Sequence, residues 1–301
     1  MVLEYESGEI AARLDRSWRT LVQEVSFSLE AGESLALIGE TGSGKTMTAL
    51  SVMRLLPSNV RMTGGTLRFL GEDLLARRSI RPLLGQEIVY IPQSGLECLN
   101  PVETVRCHLY VGLRKQGVPS SRLEREALDR LAAAGFREPE AVADRYPFQL
   151  SGGMAQRVTI ALALCSKAKL IIADEPTNGL DQEATTSFLS MLDSLFPEAA
   201  KLVITHDIGV AGLCGGTLVL CGGRMMERGP SAALLTEPRH PYTRALIGAL
   251  VRNGMAAAPV LREESGDCPF YRKCTLACPS CLTARGYGGD KTREWWCGQA
   301  V

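Results

Sequence analysis

Residues 35–46 read Leu35-Ala36-Leu37-Ile38-Gly39-Glu40-Thr41-Gly42-Ser43-Gly44-Lys45-Thr46. An apolar run of strand character gives way to a stretch that fits G-x-x-x-x-G-K-[ST]. The apolar residues that follow, Met47, Leu50, Met53 and Leu56, switch to helical spacing, and Pro57 closes the segment. Strand, glycine-rich loop and helix, in that order, form the context in which this motif cradles phosphate. Backbone N–H groups reach phosphate oxygens only where no Cβ intrudes, which Gly42 and Gly44 allow, and the helix N-terminus turns its positive dipole end toward the anion. Lys45 is then placed to neutralise terminal phosphate charge, and Thr46 offers a hydroxyl to Mg²⁺.

Working outward, Val25, Phe27 and Leu29 alternate with polar residues before a turn at Ala31-Gly32, which predicts a strand just upstream of the loop. Downstream, two short apolar runs, Leu170 to Ala173 and Leu202 to Thr205, end in charged or titratable residues. That pattern suits buried parallel strands presenting chemistry at their C-terminal ends. The first run delivers Asp174-Glu175, a carboxylate pair that is costly at a buried strand end unless it meets a cation or a proton. Asp174 is expected on Mg²⁺ and Glu175 on the attacking water. Between these strands, from about Arg106 to Ala134, helix formers dominate, with Leu123, Ala127, Leu128 and Leu131 on one face and Gly135 as a stop. Strands and helices alternate, so the class is α/β.

The chain carries 33 basic and 33 acidic side chains among 301 residues, so a polyanion has no obvious face to bind and nucleic acid is not an expected partner. With 46% hydrophobic and 22% charged residues the composition is that of a globular protein, and the length predicts one large domain with an appendage. Apolar runs such as Val158 to Cys165 stop short of a membrane span, and the opening MVLEYESGEI lacks a signal-type apolar region, so a cytosolic compartment without disulfides is expected.

Between the two phosphate-site segments lies Leu150-Ser151-Gly152-Gly153-Met154-Ala155-Gln156-Arg157, and here the sequence resembles the ATP-binding subunits of ABC transporters. The resemblance implies an ABC-type P-loop NTPase fold with a parallel-sheet core, an antiparallel β subdomain and a helical signature subdomain at about 94–160. It makes ATP the nucleotide held by Gly39, Glu40, Thr41, Gly42, Ser43, Gly44, Lys45, Thr46 and Met47. In that family the Ser151-Gly152-Gly153 turn closes on the γ-phosphate bound by a second subunit, so two chains sandwich two nucleotides. Gln93, after Val89-Tyr90-Ile91-Pro92, resembles the glutamine that meets Mg²⁺. Asp181, in Asn178-Gly179-Leu180-Asp181, resembles the acidic residue that crosses the dimer interface, and His206 resembles the histidine that holds γ-phosphate and water in register. Trp18 is the aromatic expected against adenine.

Leu99-Asn100-Pro101-Val102, Tyr146-Pro147-Phe148-Gln149 and Glu237-Pro238-Arg239-His240-Pro241-Tyr242-Thr243 narrow the likeness to peptide and nickel importers. The resemblance then implies an ATPase powering uptake of peptides, nickel or a metal chelate. Its partners would be two membrane permeases, a second ABC ATPase of the same or a sister chain, and indirectly an extracytoplasmic binding protein. The chain would sit peripherally on the cytoplasmic face of the inner membrane. Residues 1–235 are the expected ATP-binding domain and 236–301 a C-terminal extension.

Five of the ten cysteines fall at or beyond Cys268. Cys268, Cys274, Cys281 and Cys297 resemble the set that in some of that branch holds a [4Fe–4S] cluster, with Lys273 where the pattern has Arg. An all-thiolate set also suits zinc, and free buried thiols are the third reading. Cys278 is extra; Trp295 and Trp296 are read as a shield or as packing. Cys98, Cys107, Cys165, Cys214 and Cys221 are read as small buried apolar residues. Two rival functions remain, a soluble ATPase of the same family with no permease and an ATPase regulated by a Cys-bound metal.

Overall fold

The computed structural model describes residues 1–15, 17–249, 268–282, 288–289 and 292–297. The expected extension at 236–301 therefore lies in part outside the described residues.

Two sheets organise the molecule. Strands β1 (Leu3–Leu14), β2 (Ser17–Leu29), β4 (Val60–Phe69) and β5 (Glu72–Asp73) form an antiparallel sheet in the order β2-β1-β4-β5. The main sheet uses β3 (Ser34–Gly39), β6 (Ile88–Ile91), β7 (Leu170–Asp174), β8 (Ala200–Thr205), β9 (Gly216–Cys221), β10 (Arg224–Pro230), β11 (Gly288–Gly289) and β12 (Glu294–Trp295). Its order is β11-β12-β10-β9-β3-β8-β7-β6. The ladders β9-β3-β8-β7-β6 are parallel, and β10, β12 and β11 extend the sheet antiparallel.

Period-2 alternation assigns each parallel strand to two cores at once. Ala36, Ile38, Ile171, Ala173, Val203 and Val219 face a core shared with Val105, Leu109, Leu123, Leu131, Val158 and Phe188, the apolar faces of the helices. Leu37, Leu170, Ile172, Leu202, Ile204 and Leu218 face a second core with Leu3, Tyr5, Val22, Phe27, Ala49 and Val52. The sheet is thus sandwiched between a helical layer and a layer made of the antiparallel sheet and helix α1 (Lys45–Val52). Tyr5 anchors the latter, stacking on Phe27 at 5.0 Å and hydrogen-bonding Ser51 of α1 at 3.1 Å. Gly8 is required there, because a Cβ would fall 1.9 Å from the Tyr5 ring.

The helical layer holds α2 (Val105–Lys115), α3 (Leu123–Ala133), α4 (Pro139–Ala143), α5 (Gly152–Ala163) and α6 (Gln182–Leu195). Leu123, Ala127 and Leu131 of α3 are buried as their spacing predicts, and Gly135 follows at φ 85. Helix α1 is shorter than its apolar spacing suggests: it ends at Val52, and Arg54 takes φ 50 before Pro57 is reached. Met53 and Leu56 still pack on the core, but from a turn. Among the described residues no helix is long and apolar enough to cross a membrane.

The C-terminal segments share the main core. After α7 (Ile208–Gly212) and α8 (Ser231–Thr236), helix α9 (Pro241–Gly248) opens with His240 as its cap, the ring accepting from the Tyr242 N–H at 3.0 Å. Glu227 on β10 is fully buried and gathers this region: it accepts from the N–H groups of Arg239 and His240, and from Arg293 at 2.7 Å. Glu227 and Arg228 pair with Trp295 and Glu294 of β12, while Tyr242, Phe270 and Trp296 join the helix-side core. Trp296 is thus a packing residue, with Arg224 over its ring.

Burial pulls the His240 imidazole down to about 4, with the Arg244 charge adding to the effect and a backbone bond at Trp296 opposing it. Below about pH 6.5 the unfolded chain takes up a proton that the folded ring refuses, so stability present above that pH is lost as pH falls toward 4. Urea unfolding between pH 7 and pH 4 should show up to about 3 kcal/mol more loss in the unmodified chain than in His240→Asn, which keeps a capping acceptor without the titration. Equal losses would remove His240 from the acid response.

Candidate active site

The loop after β3 is fixed by contacts that leave no room for side chains. A Cβ on Gly39 would meet Leu220 O at 2.2 Å and Ser43 Oγ at 2.7 Å. Gly44 caps α1 at φ 102, where a side chain would also strike Val22. The Gly223 N–H donates to Ser43 O at 3.1 Å, and the Glu40 N–H donates to the Tyr242 hydroxyl at 3.3 Å. Lys45 Nζ donates to Gly39 O at 2.7 Å and Glu40 O at 2.9 Å, folded back under the loop.

Facing it, β7 delivers Asp174 and Glu175. Asp174 is buried and accepts from the Thr46 hydroxyl and from Tyr90 at 3.3 Å. Burial pushes its carboxyl up; the Glu175 charge pushes the same way, while the Tyr90 and Thr46 hydroxyls and Lys45 oppose. Burial lowers the Lys45 ammonium, against the pull of Glu175, Asp174 and Glu40. Lys45 thus lies in the field of three carboxylates in a half-dry cleft. The Thr46 hydroxyl and Asp174 carboxylate are hard oxygen donors already in contact, a donor pair that fits Mg²⁺.

Glu175 stands at φ 48, a left-handed conformation that costs a non-glycine residue ~1 kcal/mol or more. Its N–H still donates to Ile204 O at 2.8 Å, so the ladder with β8 continues while the side chain is turned out. There Glu175 Oε2 meets His206 Nδ1 at 2.8 Å. His206 follows the last residue of β8, and the next turn is locked by Asp207, which donates its N–H to Thr205 and caps α7 at Gly209. A carboxylate joined to an imidazole, beside a loop built for phosphate, can accept a proton from water and keep its acceptor aimed.

A second group of expected residues lies together on α5 and α6. Ser151 caps α5 by accepting from the Met154 N–H, and a Cβ on Gly152 would meet nothing within 4 Å. Asp181 caps α6 through the Ala184 N–H at 2.8 Å, and Leu180 lies 3.9 Å from where a Gly153 Cβ would stand. Gln93 is exposed after β6, and the following Gly95 packs on the α5 backbone, its would-be Cβ 2.7 Å from Ala155. Trp18 is half-exposed at the start of β2, with the Arg61 guanidinium 4.1 Å over its ring, which leaves only the other face for a base.

Three residues that the sequence offers only as members of motifs make contacts at the site. Tyr90 reaches Asp174 across the sheet, and Tyr242 reaches Glu40 from the C-terminal region. Buried Gln156 donates from Nε2 to Pro176 O at 2.5 Å, tying the signature helix to the loop behind Glu175. Each contact joins segments far apart in the chain, so no local spacing announces it.

The C-terminal cysteines feel one another's charge. Burial raises the Cys268 thiol to about 11, and neighbouring Cys281, Cys274 and Cys297 add to the rise. Burial likewise raises Cys281, which Cys278 and Cys297 also influence, and the Cys278 and Cys281 sulfurs are 3.5 Å apart. Among the described residues no group of three or more His, Cys, Asp or Glu is arranged to hold a metal ion. Of the scattered cysteines, Cys165, Cys214 and Cys221 are buried as expected, but Cys98 and Cys107 are exposed, a correction to the reading of all five as core residues. Cys107 lies two residues from both Val105 and Leu109, on the side of α2 away from its buried stripe, and Cys98 lies in the loop after β6.

Residues 22–178 match the family described as ABC transporter, and residues 226–281 match the Oligopeptide/dipeptide transporter, C-terminal region. The oligopeptide transport ATP-binding protein OppD of Salmonella typhimurium is 36% identical over 280 residues, 88% of this chain and 83% of that protein. The dipeptide transport ATP-binding protein DppD of Escherichia coli is 37% identical over 235 residues, 76% of this chain and 72% of that protein. A dimeric ATP-binding cassette solved in a post-hydrolysis state with ADP and Pi has a similar fold, with TM-score 0.67, 23% identity, and coverage of 76% of this chain and 98% of that one.

Gln156→Ala should cost about 1–3 kcal/mol, because the Pro176 carbonyl loses its buried donor. Chemical unfolding monitored by tryptophan fluorescence reads this loss; an unchanged midpoint would show that the α5 tie carries no weight.

Proposed function

The chain belongs to the ABC transporter family, as an ATP-binding chain with the oligopeptide/dipeptide type of C-terminal region, and we propose that it hydrolyses ATP to drive peptide uptake through membrane permeases. One observation carries the catalytic half of this reading: the Lys45 loop, Asp174 with Thr46, and Glu175 with His206 all gather at the C-terminal ends of β3, β7 and β8. Residues 1–235 are proposed as the ATP-binding unit, with its helical subdomain at 94–160, and 236–301 as the extension.

In this mechanism Gly39 to Met47 wrap the phosphates, and the ammonium of Lys45 leaves the Gly39 and Glu40 carbonyls for the terminal phosphate oxygens. Thr46 and Asp174, with Gln93 from the exposed loop, would hold Mg²⁺, which would supply positive charge against that developing on the phosphates. Glu175 accepts the proton of the attacking water, and His206 keeps that carboxylate and the γ-phosphate in line. Trp18 offers its free face to adenine.

The Ser151-Gly152-Gly153 turn is open to solvent with an uncluttered helix end, which supports its use on a nucleotide held by another ATPase chain, with Asp181 beside it. That partner is a second copy or a sister chain. Two permeases and, beyond them, an extracytoplasmic binding protein complete the assembly, placing this chain peripherally at the cytoplasmic face of the inner membrane. Peptide is favoured over nickel as cargo because OppD and DppD are named for oligopeptide and dipeptide transport.

For the tail we keep a [4Fe–4S] cluster on Cys268, Cys274, Cys281 and Cys297, with zinc as the rival. What supports it is the donor chemistry, an all-thiolate set in which Cys274, Cys281 and Cys297 stand near enough to raise the Cys268 thiol. Such a group would supply charge and cross-linking to this segment.

Glu175→Gln should cut ATP turnover by about 10²- to 10⁴-fold and leave an ATP-bound dimer, with itself or its sister chain, that persists through size exclusion with light scattering. Wild-type turnover in that variant would sink the catalytic assignment. Anaerobically purified chain should be brown and carry ~4 iron atoms; a colourless protein with stoichiometric zinc would replace the cluster by an ion.

A further inference from the structure

The nucleotide loop is braced from behind by residues that no phosphate motif contains. Its Glu40 N–H donates to the Tyr242 hydroxyl at 3.3 Å, and its Ser43 carbonyl accepts from the Gly223 N–H at 3.1 Å. Both braces lead to one short segment beside the first tail cysteine. The edge of the Phe270 ring lies against fully buried Tyr242, centroids 5.5 Å apart at 68°. Pro269 lies on the Gly222 turn so closely that a Cβ there would be 2.7 Å from its own Cβ. Tyr242 is also held at its other end, because its N–H caps on His240, whose N–H is bound by buried Glu227.

We propose that Tyr242 is a positioning residue of the nucleotide loop, and that Pro269-Phe270, next to Cys268, presses it and the Gly222-Gly223 turn into place. The cysteine segment then sets how well the loop is shaped for phosphate. The physical reason is local: a loop built on glycines has little stiffness of its own, so its shape before ATP arrives depends on what ties its free N–H and C=O groups. Tyr242 ties one end of Glu40 to Ser43 and Gly223 the other. This inference rests on residues 39–47 being the ATP loop.

The test measures ATP–Mg²⁺ binding to the full chain by titration calorimetry and steady-state ATPase, for Tyr242→Phe, Phe270→Ala, Phe270→Leu and the Tyr242→Phe/Phe270→Ala pair. Tyr242→Phe keeps the ring and removes the hydroxyl that accepts from Glu40, and should weaken ATP binding about three- to tenfold, raising KM with kcat within about twofold. Phe270→Ala should give a similar loss, Phe270→Leu should recover most of it, and the pair should be no worse than about twofold beyond either single change. Tyr242→Phe decides alone if Phe270→Ala does not fold. Unchanged ATP affinity in Tyr242→Phe, a loss confined to kcat, or additive losses in the pair would overturn the inference while leaving the ATP site intact; failure of the unmodified chain to bind ATP would overturn both.

Discussion

The rest of the structure depends on the placement of one ammonium group. Lys45 sits between two carbonyls of its own loop and within the field of Asp174, Glu175 and Glu40, in a cleft dry enough to lower its affinity for protons. An isolated charge there would be costly. It is tolerated because β3 lies next to β8, and β8 next to β7, so that the loop, His206 and the two carboxylates meet at the C-terminal ends of adjacent strands. The carboxylates around this one ammonium give the cleft hard oxygen donors for a divalent ion, beside a loop shaped for phosphate.

That strand order is itself a consequence of burial on both faces. Each parallel strand sends alternate residues into the helical layer and into the layer of α1 and the antiparallel sheet. A one-residue slip in any of them would exchange the two sets and turn Asp174 or Thr205 to the wrong side. The two cores therefore fix the register of the chemistry, and the left-handed turn at Glu175 stores the local cost of aiming its carboxylate at His206 rather than continuing the strand.

Local order was well written in the chain. The glycine loop, the strands ending at Asp174 and Thr205, and the buried stripe of α3 follow from spacing alone, since each depends on residues within one turn or one strand. The end of α1 was not, because the apolar spacing runs on through Met53 and Leu56 after the backbone has turned at Arg54. Nor were Tyr90, Gln156 and Tyr242, whose partners are set by strand order and by the return of the C-terminus. Exposed Cys98 and Cys107 show the limit of composition: cysteine favours burial on average, but a residue on the side of α2 opposite its buried stripe goes to the surface regardless.

The return of the C-terminus also changes what the tail can be. A segment tethered to the surface could hold thiols without consequence for the catalytic end of the sheet. Here β12 adds to β10, Phe270 and Trp296 enter the helix-side core, and buried Glu227 binds both the start of α9 and Arg293 beside β12. A buried carboxylate satisfied by four donors from two distant segments is costly to break and specific in what it accepts, so it favours one seating of the tail over others of similar apolar burial. With that seating fixed, Cys268 lies two residues from a ring that touches the tyrosine under the phosphate loop. Any change in what the thiols hold must therefore be absorbed either by the short segment between them or by the loop itself.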